Sequence, residues 1–204
     1  MTILKILYLF LLIFKISCKS NDTVYVDMYT DIGIIKLEVN LHKAPVTAKN
    51  FLRYIDENRY SDFHFYRTVT NKNQPYNKIK IEVIQGGLGL VKNSNSLHPI
   101  IHETTNMTGL KHKNGTISMA RLEPGFASSE IFICINDQPE LDHDGNRNPD
   151  GKGFAAFGKV ISGMEVVRAI HSLPNENQLI KNVVKVDSFK IRWPKANNLE
   201  KYLE

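Results

Sequence analysis

Phe65-Tyr66-Arg67, Val83-Ile84-Gln85-Gly86-Gly87 and Ile131-Phe132-Ile133-Cys134 are the three runs that decide how this chain is read. They are rich in β-branched and aromatic residues, as strands are. Between them they offer one fixed cation, one amide and one ring in an apolar run, with no nucleophile or metal cluster nearby. Such an inventory suits a reaction in which no covalent bond is made or broken.

The pattern continues outward from these runs. Residues 24–29 and 34–39 flank Asp31-Ile32-Gly33 and read as an opening hairpin. Ala44-Pro45 then introduces a helix to about residue 57, with proline suited to the first turn. Ala48, Phe51, Leu52 and Ile55 fall at i, i+3, i+4 and i+7 and give that helix one apolar face. Further strands are expected over residues 63–69, 79–85, 115–120, 130–135 and 154–160, a second helix over 164–172, and a closing strand over 183–191. Many short strands, two helices far apart and Gly-rich turns indicate a mainly β barrel or sandwich with helices over its ends. The longest expected loops are 70–78 and 137–152, and long loops in compact domains are often functional.

With 204 residues, 42% of them hydrophobic and 23% charged, the chain has the means for a single sizeable core. A net charge of +5 spread along the chain gives no nucleic-acid footprint, so nucleic acid is not an expected partner. At the N-terminus, Lys5 precedes the apolar run from Ile6 to Phe14, which is too short to cross a bilayer and reads as the core of a signal peptide over residues 1–17. Ser17-Cys18 resembles a bacterial lipoprotein cleavage site, although Lys15 stands where such sites carry an apolar residue. Lipidation of Cys18 is the expectation, with a soluble secreted protein and an uncleaved anchor as alternatives. Residues 18–23 would be a tether, 24–192 the domain, and 193–204 a polar tail. The expected location is therefore the periplasm or a bacterial membrane, reached through the lipid only. Cys134 lies in a run that reads as a buried strand, and a structural thiol is expected there.

Collinear blocks along the chain resemble the cyclophilin family of peptidyl-prolyl isomerases, particularly the bacterial secreted type. They include Ala44 to Phe51, Phe65 to Arg67, Ile84-Gln85-Gly86-Gly87, Gly115 to Arg121, Ser129 to Ile133, Leu141-Asp142 and Phe157 to Val160. The resemblance implies a closed eight-stranded antiparallel barrel capped by two helices. It implies catalysis of rotation about X-Pro bonds, with proline-containing polypeptides as substrates, assisting the folding of exported proteins. A monomer without cofactor or metal is expected. That rotation has a barrier of about 18–20 kcal/mol because amide resonance is given up.

The family's catalytic arginine and its site glutamine map onto Arg67 and Gln85. The floor of the proline pocket maps onto Phe132, a second wall onto Leu141, and the rim onto Ala120 and Arg121. Phe65, Val83 and Phe154 are counted with the substrate-binding residues. The chain also departs from the pattern. Tyr66 replaces a common histidine, and Glu82 and Val83 replace an aromatic and a methionine of the pocket wall. Glu130 replaces a glutamine, and Glu140 stands where a tryptophan favours the inhibitor cyclosporin. An insertion covers residues 71–80, and its Pro75 and Tyr76 are expected either to re-cover the pocket or to occlude it. These departures keep a second function open, a catalytically weak binding module or chaperone for Pro-containing segments.

Other signals carry less. His98 and His102 are separated by Pro99 and make a poor zinc pair. Gly86-Gly87-Leu88-Gly89 lacks a nucleotide-binding spacing. Asp142, Asp144 and Asn146 imitate the start of a calcium loop, but Arg147 and Gly153 occupy the positions of its glycine and closing glutamate. A solvated, turn-rich loop is expected there.

Overall fold

The computed structural model describes residues 23–89 and 93–193. The leader, Cys18 and residues 194–204 of the tail lie outside the described residues. The opening hairpin is β1 (Thr23–Thr30) and β2 (Gly33–Asn40). Val24 faces Val39, Val26 faces Leu37 and Met28 faces Ile35, all fully buried. This period-2 alternation turns one face of the hairpin inward, each such side chain contributing about 1.5–3 kcal/mol by burial.

Helix α1 (Pro45–Asp56) buries Ala48, Phe51 and Leu52 as its spacing requires. Ala44 at its N-cap has no capping side chain. The orphan amides of Val46 and Thr47 instead donate to the Glu103 carboxylate, at 3.2 and 2.7 Å, satisfying two of the donors a helix start leaves open.

The remaining strands are β3 (His64–Val69), β4 (Val83–Gly87), β5 (Thr116–Met119), β6 (Ile131–Cys134), β7 (Ala155–Ser162), β8 (Asn175–Glu176) and β9 (Leu179–Arg192). Between them lie a four-residue helix α2 (Thr105–Thr108), a 3-10 turn Pro139–Leu141 and helix α3 (Met164–His171). The strand order β1-β2-β7-β5-β6-β4-β3-β9 closes on itself through β1 pairing with β9, and all pairings are antiparallel. This is the expected closed barrel of eight strands. Two-residue β8 sits outside it as the first arm of a hairpin with β9, and α2 adds a third helix to the expected two.

Two expected boundaries move, and one of them is the start of the closing strand, at Leu179 rather than residue 183. Residues 79–82 alternate like a strand, yet β4 begins only at Val83. The buried Gln74 amide donates to the carbonyls of Thr70 and Ile81 at 2.8 and 2.7 Å, closing residues 70–81 into a loop of their own. None of the helices in the described residues is long and apolar enough to cross a membrane.

Candidate active site

Arg67 reaches the outer surface of the barrel because of a bulge. In the β3–β4 ladder Phe65 pairs with Gly86 and Arg67 with Gln85, so Tyr66 is an extra residue without a partner. A bulge turns the strand. Phe65 therefore faces the core, edge-on to Phe63, while Arg67 faces out. The ladders then carry one row across the sheet: Arg67 opposite Gln85, Gln85 opposite Phe132, Phe132 opposite Ser118.

Beneath that row is a second apolar cluster, separate from the barrel core, made by Val69, Ile81, Val83, Phe132, Cys134 and Leu141 with Ala120 and Phe154 packed on it. Phe132 is held from two sides. Phe154 meets it edge-on at 5.2 Å between centroids, and His112 stacks nearly parallel at 5.8 Å. His112 Nδ1 lies 2.8 Å from Asp142 and Nε2 lies 3.0 Å from the Ser118 hydroxyl. Burial lowers the His112 pKa against the opposing pull of Asp142. The ring is accordingly neutral, Nδ1–H donates to the carboxylate, and Nε2 accepts from Ser118. The chain Ser118–His112–Asp142 copies the connectivity of a nucleophilic triad. Ser118 is 0% exposed, however, and no substrate can reach it. Its geometry supports the ring of Phe132 from below.

Above the floor, the Arg67 guanidinium is fixed by two amides. Nη1 donates to Gln85 Oε1 at 2.7 Å, and Nε and Nη2 both donate to Gln178 Oε1, at 3.0 and 2.6 Å. Arginine has five N–H donors, so one on each Nη is left for a ligand. Burial lowers the Arg67 pKa, against the Coulombic pull of Tyr66, and a guanidinium so placed still keeps its proton. Because Arg67 only donates, the near atom of Gln85 is oxygen and its Nε2 must face away. Nε2 donates to the Tyr66 hydroxyl at 2.7 Å, and that hydroxyl donates to Glu130 Oε2 at 2.7 Å. Glu130 Oε1 accepts from Ser129 Oγ and the Gly89 amide. Burial raises the Glu130 pKa, with these donors pulling the other way. Gly87, at φ 157°, makes room for the carboxylate, because a Cβ there would collide with it.

These groups line an open cleft of 610 Å³ that contains Arg67, Val83, Gln85, Ala120, Arg121, Phe132, Leu141 and Phe154. Arg121 closes one side. It holds Asp150 with two bonds of 2.8 and 2.9 Å, donates to the Gly153 carbonyl, and lies 5.2 Å from the centroid of the Phe154 ring. Eight of the nine residues expected at the pocket are thus brought together. Phe65 is not among them, for the bulge places it 0% exposed in the barrel core.

The insertion neither re-covers nor occludes the cleft. Tyr76 is 97% exposed and does not line the cleft, and only Ile81 from this loop joins the lining. Glu82 stands aside, accepting from Asn136. The residues that imitated a calcium loop are turned to separate partners: Asp142 to His112, Asp144 near His143, and Asn146 through Nδ2 to Glu140, while Asp150 of the same loop holds Arg121. Among the described residues no group of three or more acidic, His or Cys side chains is placed to hold a metal. Cys134 is fully buried and burial pushes its thiol pKa up, which suits a structural role.

Sequence reasoning missed Gln178, Leu122, Phe126 and Leu179, which also line the cleft. It noted Tyr66 and Glu130 only as separate departures. Their pairing was legible in principle, since a hydroxyl donor and a carboxylate acceptor were exchanged into the site together.

Comparison with known proteins agrees with this geometry. Residues 25–191 match the family described as cyclophilin type peptidyl-prolyl cis-trans isomerase/CLD. A peptidyl-prolyl cis-trans isomerase of Acinetobacter baylyi is 34% identical over 186 residues, covering 87% of this chain and 90% of its own length. Peptidyl-prolyl cis-trans isomerase B of Escherichia coli is 32% identical over 173 residues, covering 78% and 97%. A Cryptosporidium parvum cyclophilin solved in the presence of the dipeptide Ala-Pro superposes with a TM-score of 0.67 at 22% identity, covering 83% of this chain and 99% of that one, and so shares the fold. The fold and the cleft define a closed eight-stranded barrel with an open, apolar-floored cleft beside a fixed guanidinium. The chain belongs to the cyclophilin-type family of peptidyl-prolyl cis-trans isomerases.

Proposed function

We propose that the cleft isomerises X-Pro bonds of unfolded or partly folded polypeptides outside the cytoplasm, with Arg67 as its catalytic cation. The observation that carries this reading is the guanidinium held by Gln85 with a donor left on each Nη, beside an apolar floor at Phe132. The proline ring sits on Phe132 between Leu141, Val83 and Phe154. One Nη donor holds the substrate carbonyl. The other meets the prolyl nitrogen, whose lone pair becomes an acceptor only once amide resonance is broken. That bond exists in the transition state alone, so it lowers the barrier without tightening ground-state binding. Gln85 orients the guanidinium and offers its amide to the substrate backbone, and Ala120 and Arg121 form the rim along which that backbone lies.

The features that favoured a non-catalytic binder do not block this chemistry. Glu82 is off the cleft, the insertion leaves it open, and the Glu130 carboxylate is taken up by Tyr66, Ser129 and Gly89. We further infer cleavage after residue 17 and lipidation of Cys18, supported by the Lys5-led apolar run and Ser17-Cys18. Isomerisation of an Ala-Pro tetrapeptide by residues 19–204 tests the activity. Radiolabelled palmitate incorporation into the full chain but not into its Cys18→Ser variant tests the anchor. Labelling of both forms alike, or of neither, would remove the lipoprotein reading.

A further inference from the structure

We propose that Gln178 is a positioning residue for the reaction, and that the insertion between β3 and β4 acts on Arg67 through it. The proposal rests on Arg67 being the catalytic cation. Gln178 occupies the two-residue turn between β8 and β9, 111 positions from the arginine it holds. Its Oε1 takes both the Nε and the Nη2 edge of the guanidinium, at 3.0 and 2.6 Å. Gln85 alone, bound through Nη1, would leave the guanidinium free to swing about that one contact. The pair of bonds to Gln178 sets the plane of the fork and so aims the two remaining donors.

The orientation of the Gln178 amide is itself imposed. On one side stands a group that can only donate. On the other, Gln178 Nε2 donates to the backbone carbonyl of Asn73 at 3.1 Å, a group that can only accept. Asn73 is anchored in turn: its Oδ1 accepts from the Thr70 amide, and its Nδ2 donates to the Thr68 carbonyl and to Asn175 Oδ1. The inserted segment therefore presents one fixed carbonyl that holds the amide of Gln178 with its oxygen toward Arg67. The backbone repeats the link, for the Gln178 carbonyl accepts from the Thr68 amide, next to Arg67, at 2.9 Å.

A second observation points the same way. Asn177 and Gln178 have φ of 49° and 72°. Two-residue hairpin turns with positive φ favour Asn-Gly, and glycine would remove the strain at the second position. The chain keeps a long amide side chain there against the preference of the turn. That choice makes sense if the side chain is needed.

The opposition between turn and site supplies the test. Gln178→Gly should leave thermal stability unchanged or raised while lowering kcat for an Ala-Pro tetrapeptide roughly tenfold or more, with KM altered by less than about threefold. Gln178→Glu restores an acceptor for both N–H groups, so it should recover most of the rate near pH 8 and lose it as the new carboxyl protonates, adding an acidic limb absent from the parent. The Arg67 Nε–H resonance, slow to exchange in the parent, should broaden or vanish in Gln178→Gly while the backbone spectrum stays in place. The proposal is overturned if Gln178→Gly keeps its kcat within about twofold, if its loss lies in KM alone, as for a simple cleft wall, or if the Nε–H signal persists. Arg67→Ala is measured alongside. An unaffected rate there would instead sink the reading of Arg67, and this proposal with it.

Discussion

Replacing Tyr66 by phenylalanine removes one oxygen and breaks two hydrogen bonds, that from Gln85 Nε2 and that to Glu130 Oε2, each 2.7 Å long. Gln85 is buried, so its stranded Nε2 is not readily reached by water, whereas Glu130 is half-buried and lines the open cleft. A neutral bond contributes about 0.5–1.5 kcal/mol and one to a charged group about 1.5–3, so the variant should lose about 2–4 kcal/mol. For a domain of this size each kcal/mol moves Tm by about 2–4 °C, giving a fall of roughly 5–15 °C. Calorimetry and urea titration at neutral pH read this directly. The rate should fall as well, severalfold in kcat, because Gln85 with its Nε2 unpaired is no longer held with Oε1 toward Arg67. The loss should be partly relieved by Glu130→Gln in the same chain, since the acceptor stranded by the first change then loses its charge. A coupling of about 1 kcal/mol or more between the two substitutions is expected. A Tm within about 1 °C of the parent, with kcat unchanged, would refute the linked chain from Arg67 to Glu130.

Stability should also depend on pH through His112. Burial holds its folded pKa below the ordinary value, so below about pH 6.5 the unfolded chain binds a proton the folded one refuses. The fold therefore loses stability as pH falls through that window, by at most about 1.4 kcal/mol per unit from this group, and urea titrations at pH 7.5 and 5.5 should show a shallower slope for His112→Gln. Phe132→Ala, which empties the floor of the cleft, should cost about 3–5 kcal/mol and raise KM for proline peptides, read by denaturation and by rate. Cyclosporin should inhibit only weakly, with nanomolar inhibition of tetrapeptide isomerisation contradicting the placement of Glu140 in the family's tryptophan position. Native mass spectrometry at millimolar calcium should find no bound ion, because Asp142 and Asp150 are held by His112 and Arg121 and no group of three or more ligating side chains is gathered among the described residues.

What the sequence disclosed was set by local periodicity and by the collinear family blocks. The alternation of Val24, Val26 and Met28 against Ile35, Leu37 and Val39 is a local property, and the hairpin follows from it. The apolar spacing of α1 is equally local. Residues 79–82 misled because they alternate as a strand does, whereas their fate is decided by the side chain of Gln74 closing the loop. Phe65 misled for the converse reason. Two residues from Arg67, it should share that residue's face, and only the bulge at Tyr66, visible in the pairing with β4, separates them. Gln178 carried no signal at all, since Asn-Gln is not a favoured hairpin turn and its partner lies 111 residues away. The cleft was therefore legible where one row of cross-strand pairs built it, and illegible where a distant turn reached in.

Under the proposed function, a guanidinium with two aimed donors, rather than general hydrophobic binding, accelerates rotation about the prolyl bond. Isomerisation of an Ala-Pro tetrapeptide by residues 19–204, beside Arg67→Ala and Arg67→Lys with folding confirmed by circular dichroism, tests it most directly. Clear acceleration by the parent is expected, with a fall in kcat/KM of about tenfold or more in Arg67→Ala, as befits a donor used in the transition state. Arg67→Lys should fail to restore the rate, because a point charge cannot serve Gln85, Gln178 and substrate together. Full activity in Arg67→Ala, or none in the folded parent, would contradict it.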